Sequence, residues 1–292
     1  MLYSALADGS KIPVIGLGSY ASEKSKIKEA YKHAISVGYR HFDCAFIYGN
    51  QKEIGEAFKE IFASGTVKRE DLWITSKVFN TDHAPDRVEK ACHQTLSDLQ
   101  ISYLDEYLIH WPISEGGKPV TISETWKAME SLKQKGLVKH IGVSNFNVQL
   151  LNEIYNGAQI YKPELNQVEL HPYLQQTRLV EFCMKIGVHI TAYCPLVKMG
   201  VGSTIDPTKD PVLQKIAQKH SKTIAQVLLR WNFQRYPNVS VVPKTTSLER
   251  ITENYGALSF NLDDADMSEI KKLERNYRIV DALEQLGIPL FD

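Results

Sequence analysis

The feature that most constrains the fold of this chain is an alternation along its whole length. Short apolar runs of strand length are each followed by a stretch with helical spacing. The runs are IPVIGLGSY (12–20), HFDCAFI (41–47), LWITSKVF (72–79), YLDEYLIHW (103–111), KHIGVSNF (139–146), PELNQVEL (163–170), VHITAYCPL (188–196) and VSVVPKT (239–245). Continuous apolar character, without a polar alternate face, is what strands covered on both sides require. Between them, SKIKEAYKHAISVG sets Ile27, Ala30, Tyr31, Ala34 and Ile35 on one helical face. ISETWKAMESLKQKG, PVLQKIAQKH and TIAQVLLRWNFQRY read the same way. Gly38, Gly136 and Gly187 close three of these helices, where a left-handed residue commonly ends the turn. Eight strands, each followed by a helix, predict an α/β fold, the (β/α)8 TIM barrel. Asp8-Gly9 signals an N-terminal β-hairpin, expected to close the bottom of the barrel. The 292 residues fit a single barrel domain, 1–292, with no linker or low-complexity tract.

A barrel carries its functional residues at the C-terminal ends of its strands. Asp43, Lys77, His110, Ser144, Asn145, Gln167, Tyr193 and Lys244 stand at those ends in seven consecutive strands, and Tyr48 follows Asp43 in the same loop. A Lys and an Asp at apolar strand tips are costly to bury unless paired. Beside a phenol, the Lys cation favours phenolate and lowers a pKa that is about 10 in isolation. The expectation is an acid–base centre that trades protons near neutral pH. The plainer alternatives are a packing aromatic for Tyr48, a structural ion pair for Lys77 and Asp43, and a core histidine for His110.

Charge narrows the partners. Lys plus Arg and Asp plus Glu number 34 each, with no basic or acidic block, which argues against nucleic acid or an anionic membrane as partner. The first residues lack the pattern of a signal peptide, and no run approaches the roughly 20 apolar residues of a membrane span. Cys44, Cys92, Cys183 and Cys194 are scattered without a CxxC pair, as expected of reduced thiols in a cytoplasmic protein. No HExxH or Cys/His cluster suggests a metal; Glu169-Leu170-His171 is too isolated to do so. Gly16-Leu17-Gly18 is a lone GxG with Ala21 where a third glycine would stand, so no Rossmann domain is read here.

Five motifs occur in order: Asp43-x4-Tyr48-Gly49-Asn50, Ile74-Thr75-Ser76-Lys77, Ile109-His110-Trp111-Pro112, Gly142-Val143-Ser144-Asn145-Phe146 and Val242-Pro243-Lys244-Thr245-x4-Arg250-x3-Asn254. Together they resemble the aldo-keto reductase family, over about residues 12–275. The resemblance implies NADPH-dependent reduction of aldehydes or ketones to alcohols. Asp43, Tyr48, Lys77 and His110 would be catalytic, with Tyr48 the general acid and His110 orienting the carbonyl. It implies that Ser144, Asn145 and Gln167 bind the nicotinamide carboxamide and that Tyr193 stacks on the ring. Gly18, Ser19, Tyr20, Asp43, Leu196, Thr245, Thr246, Glu253 and Asn254 complete the cofactor set. Thr246 with Glu249 has capping-box spacing, so a helix is expected to begin after Thr246. Its N-terminus, with Lys244 and Arg250, favours an anion and hence NADP(H) over NAD(H).

Tyr20, Ile47, Phe79, His110 and Trp111, with the tail from Ile279 to Asp292, are expected to line an apolar pocket for a small-molecule carbonyl substrate. Tyr20 stands where many animal members carry Trp, Cys194 where Ser is frequent, and Thr246 where Val is common. The segment after Trp111 is short, suggesting an open mouth. A cofactor-covering loop is expected from about 196 to 211, with Gly200 and Gly202 as flexible points. The protein is expected to be a monomer or weak oligomer. Two rivals stand: a cofactor-binding interaction protein like the potassium-channel β-subunits, and a barrel enzyme of another chemistry, such as an isomerase.

Overall fold

The computed structural model describes residues 2–116, 119–197, 199 and 204–291. Its first strands, β1 (Tyr3–Ala5) and β2 (Lys11–Pro13), form the expected antiparallel hairpin. The turn between them is closed by Leu6 N–H donating to Ser10 O, with Gly9 at φ +88°. A run of parallel strands follows: β3 (Leu17–Gly18), β4 (His41–Asp43), β5 (Trp73–Val78), β6 (Leu104–Ile109), β7 (Val138–Ser144), β8 (Leu165–Glu169), β9 (His189–Tyr193) and β10 (Val239–Val241). Each pairs in parallel with the next. The seam closes through bridges Ile15↔Val241 and Gly18↔Lys244, with Gly16 and Gly18 N–H donating to Val241 O and Pro243 O. This is the (β/α)8 barrel.

The helices are α1 (Lys24–Val37), α2 (Gln51–Ala63), α3 (Pro85–Leu99), α4 (Ile122–Gln134), α5 (Val148–Gly157), α6 (Thr177–Lys185), α7 (Pro211–His220), α8 (Ile224–Arg235), α9 (Leu248–Tyr255), α10 (Asp264–Lys271) and α11 (Ala282–Leu286). Among the described residues, one follows each of β3 to β8, two follow β9 and three follow β10. The apolar face read for α1 is the buried one, namely Ile27, Ala30, Tyr31, Ala34 and Ile35. Gly38, Gly136 and Gly187 all take positive φ just past their helices. The first apolar run, 12–20, is not one strand. Ile12 and Pro13 belong to the hairpin, and the barrel strand itself is Leu17–Gly18, with Ile15 bridging to Val241. Pro13 has no N–H to give a ladder, and Gly16 lies so close to His41 that a Cβ would sit 2.7 Å from its ring.

The principal core lies between the barrel wall and its helices. A separate cluster of Leu6, Ile12, Trp73, Leu108 and Leu165 fills the barrel floor. Leu6 and Ile12 come from the hairpin, so hydrophobic burial holds it across the bottom. With the floor sealed, the strand C-termini at the other end are left to carry polar groups.

Candidate active site at the barrel mouth

Parallel register and period-2 alternation bring the mouth residues together. Asp43 pairs in register with Thr75, and two residues on, Lys77 points the same way. Lys77 has no exposed surface and Asp43 has 4%. The Lys77 ammonium donates to Asp43 Oδ1 at 2.7 Å and to Cys44 O at 2.9 Å. Gln167 Nε2 donates to the same Asp43 oxygen at 2.8 Å, from the opposite side of the barrel. Tyr48 sits in a one-turn 3-10 helix, Phe46–Tyr48, that overhangs the pair. Lys77 Nζ lies 5.3 Å from its ring centroid. His110 follows β6, with its N–H on Val78 O and its carbonyl taken by Asn145 Nδ2. The Tyr48 and His110 rings meet edge to face, 5.8 Å apart. The four residues singled out from sequence therefore share one cluster.

Electrostatics corrects one expectation. The Lys77 ammonium does pull the Tyr48 pKa down, but burial is the larger influence and pushes it up to about 12. Tyr48 is thus a protonated phenol across the neutral range. The reason is local: the low-dielectric mouth penalises phenolate more than one already-paired cation favours it. Burial also works against the Lys77 ammonium, yet Asp43 and Tyr48 together outweigh it and hold its pKa above the ordinary value. His110 is driven well below the usual imidazole range by burial, then by Lys77 and His83, so it is neutral. Its Nδ1 is buried without a partner.

Ser144, Asn145 and Gln167 line the next arc and are all buried. Ser144 Oγ donates to Gln167 O, and Tyr193 OH donates to Asn145 Oδ1 at 2.7 Å. Asn145 takes φ +66°, a left-handed geometry that Asn tolerates better than most residues. Gln167 reaches inward to Asp43 as well as standing beside Ser144, a link the sequence reading missed. Ser19 donates through Oγ to Asp43 O, and Asn50 Nδ2 donates to Ser19 O, so the first strand's end is tied to the charged pair. Gly18 lies against Val242 O, where a Cβ would approach to 2.9 Å. Leu196 is partly buried beside Val197, which has φ +57°. Gly200 and Gly202, expected as flexible points, lie outside the described residues, as do Gly117 and Lys118 in the segment after Trp111.

On the far rim, Ser247 rather than Thr246 caps α9: its side chain accepts from Arg250 N–H, and Ser247 N–H donates to Thr245 Oγ1. The expected box of Thr246 with Glu249 does not form. A helix beginning at Leu248 puts the cap one residue later, and Ser is an equally good cap. Lys244 and Arg250 are exposed and neither enters an ion pair among the described residues. Asn254 is buried and Glu253 half-buried on α9.

The pocket walls are apolar and open. Tyr20 is 67% exposed and Ile47 48%, large values for side chains of this size, and Phe46 joins them although the sequence reading passed over it. Tyr20 packs on Tyr48 at 5.2 Å and Phe79 on His110 at 5.9 Å. Trp111 is buried beside Phe291 of the C-terminal segment, 6.5 Å between centroids. At the opposite end of the barrel, Asp8, His140 and Glu164 approach one another closely enough to hold a cation. Their atoms already serve Ser10, Lys133 and the Ile141 N–H.

Comparison with known proteins agrees with the fold. The family model described as the Aldo/keto reductase family matches residues 14–275. "Aldose reductase B" of Dictyostelium discoideum is 45% identical, covering 96% of this chain and 95% of that protein. "NADP-dependent D-sorbitol-6-phosphate dehydrogenase" of Malus domestica is 42% identical, covering 94% of each. The solved aldose reductase of Schistosoma japonicum superposes with a TM-score of 0.91 at 39% identity, over 100% of this chain and 98% of its own.

Proposed function

The chain belongs to the aldo/keto reductase family, and from that premise we propose that it reduces aldehydes or ketones to alcohols with NADPH. The observation that carries the reading is the buried ion pair of Lys77 and Asp43 lying under Tyr48, with a neutral His110 across from it.

Reduction of a carbonyl requires a proton at oxygen as carbon gains two electrons. Tyr48 is the donor: it is protonated at neutral pH, it overhangs the apolar pocket, and Lys77 eases the loss of its proton. Lys77 can do so because Asp43 keeps its charge tolerable in the interior. His110, being neutral, has one N–H with which to orient the carbonyl oxygen and does not compete as proton donor. The apolar walls formed by Tyr20, Ile47, Phe79 and Trp111 suit small aromatic or aliphatic carbonyls.

Ser144, Asn145, Gln167 and Tyr193 would hold a nicotinamide, with Gly18, Ser19, Tyr20, Leu196 and Asn254 along its course; bound there, it would supply the hydride. The rim fits a phosphorylated ribose because two exposed cations, Lys244 and Arg250, flank the N-terminus of α9 without a carboxylate partner among the described residues. The Malus relative is named for its use of NADP, in keeping with this choice. Purified protein assayed with a panel of aldehydes and ketones should consume NADPH faster than NADH, and Tyr48→Phe should slow that consumption by about 100-fold or more. Turnover unaffected by Tyr48→Phe would overturn the assignment.

A further inference from the structure

Glu169 ends β8 beside Tyr193 at the barrel mouth, with no exposed surface. None of the chemistry described above uses it. Its Oε1 accepts the Ile279 N–H at 2.7 Å and His171 Nε2 at 2.9 Å. Its Oε2 accepts the Val280 N–H at 2.8 Å. A carboxylate this deep is costly unless its oxygens are fully hydrogen-bonded. Two of its three donors are consecutive amides of the C-terminal segment, so segment and carboxylate stabilise each other.

The neighbouring contacts show what that attachment controls. Just before it, Arg275 and Tyr277 N–H donate to Tyr173 O, holding the root of the segment against the loop after β8. Just after Tyr277, the Arg278 guanidinium stacks over Phe291, 3.7 Å from the ring centroid. Phe291 in turn packs against Trp111. A fixed root at Ile279 and Val280 therefore sets where the segment's end meets the pocket.

We propose that Glu169 is a positioning residue that docks the C-terminal segment by capturing the Ile279 and Val280 amides, and so fixes one wall of the substrate pocket. The inference rests on Trp111 lining that pocket. Without the carboxylate, both amides lose a charged acceptor, the segment undocks, and Phe291 leaves Trp111. A large carbonyl compound that needs this wall then binds less well. A small one, held near His110 and Tyr48, is indifferent.

Glu169→Gln in the full-length protein tests this, because it keeps shape while presenting an NH2 to one of the amides. Hydrogen exchange of the segment 275–286 should quicken at least about tenfold, the ratio that one lost charge-assisted hydrogen bond implies. The KM for a large aromatic aldehyde should rise by a similar factor. For a short aliphatic aldehyde, kcat and KM should hold, as should the NADPH Kd. Phe291→Ala should reproduce the KM change, and adding it to Glu169→Gln should bring little more. Unchanged exchange of the segment, additive effects of the two changes, or equal losses for both aldehydes would overturn the proposal. If Glu169→Gln does not fold, Glu169→Asp, which keeps the charge but shortens the reach, is read by the same measures. The exchange measurement needs no turnover. An inactive parent protein would therefore overturn the proposed reduction, while docking by Glu169 is still judged on the amides.

Discussion

Asp43→Asn removes one negative charge from beside an ammonium that has no exposed surface. The amide oxygen still accepts a hydrogen bond, so the change isolates charge from shape. In the parent, Lys77 has its pKa held above 10.5 by Asp43 and Tyr48 against the effect of burial. A group with a raised folded pKa contributes stability that is complete below its unfolded value and lost only as pH climbs through the folded one. In Asp43→Asn, burial is left dominant and the Lys77 pKa falls below 10.5. The variant is then weakest at neutral pH and recovers as pH rises toward 10.5, where a neutral amine is no longer costly. Removing one partner of a buried pair costs about 3–5 kcal/mol. Because an acceptor remains, the lower end, about 3 kcal/mol, is expected at pH 7, or roughly 6–12 °C in Tm for a protein of this size. Thermal scans of both proteins at several pH values between about 7 and 10 should show the gap closing with pH. A gap that widens with pH, or none at pH 7, would refute a buried charged Lys77 as the cause.

Three further outcomes follow from the same geometry. Tyr48→Phe keeps the ring and removes the proton donor, so kcat should fall by about 100-fold or more while NADPH Kd, read by fluorescence titration, stays within about twofold. With the Tyr48 phenol at about 12, kcat/KM for reduction should show no inflection from this group between about pH 6 and 9, and an inflection near neutrality that Lys77→Met shifts upward would show burial to be the lesser influence. Arg250→Ala or Lys244→Ala should weaken NADPH about tenfold and leave NADH nearly untouched, with the NADPH loss shrinking at high salt; equal losses for both nucleotides would remove the 2′-phosphate from the assignment.

Much of this was legible in the sequence because the barrel writes its strands as continuous apolar runs and puts its polar groups at their ends. Asp43, Lys77 and His110 could be found by asking which polar residues terminate such runs, and the structure brings them together with Tyr48. What escaped depended on distance in space. Gln167 reaches Asp43 from 124 positions away, and Glu169 meets Ile279 across 110; no spacing rule links such pairs. Boundaries were lost for local reasons: Pro13 split the first run, and with two adjacent hydroxyls the cap of α9 was placed on Thr246, where the backbone uses Ser247.

The Tyr48 pKa bears on the direction of the proposed reaction. A phenol at about 12 is an acid throughout the physiological range and scarcely a base. Reduction needs the acid and oxidation needs the base, so at neutral pH the free protein stands in the form that reduction requires. Burial supplies this bias, and it also makes proton donation harder, since a donor with too high a pKa gives up its proton reluctantly. Lys77 offsets that cost at the moment it matters, because the attraction between ammonium and phenolate grows as negative charge develops on Tyr48. In the ground state that oxygen is neutral and the ammonium gains little from it. Asp43 then has a second consequence. By keeping Lys77 charged in the interior, it holds in place a cation whose interaction is stronger in the transition state than before it, which is the condition for accelerating the chemical step.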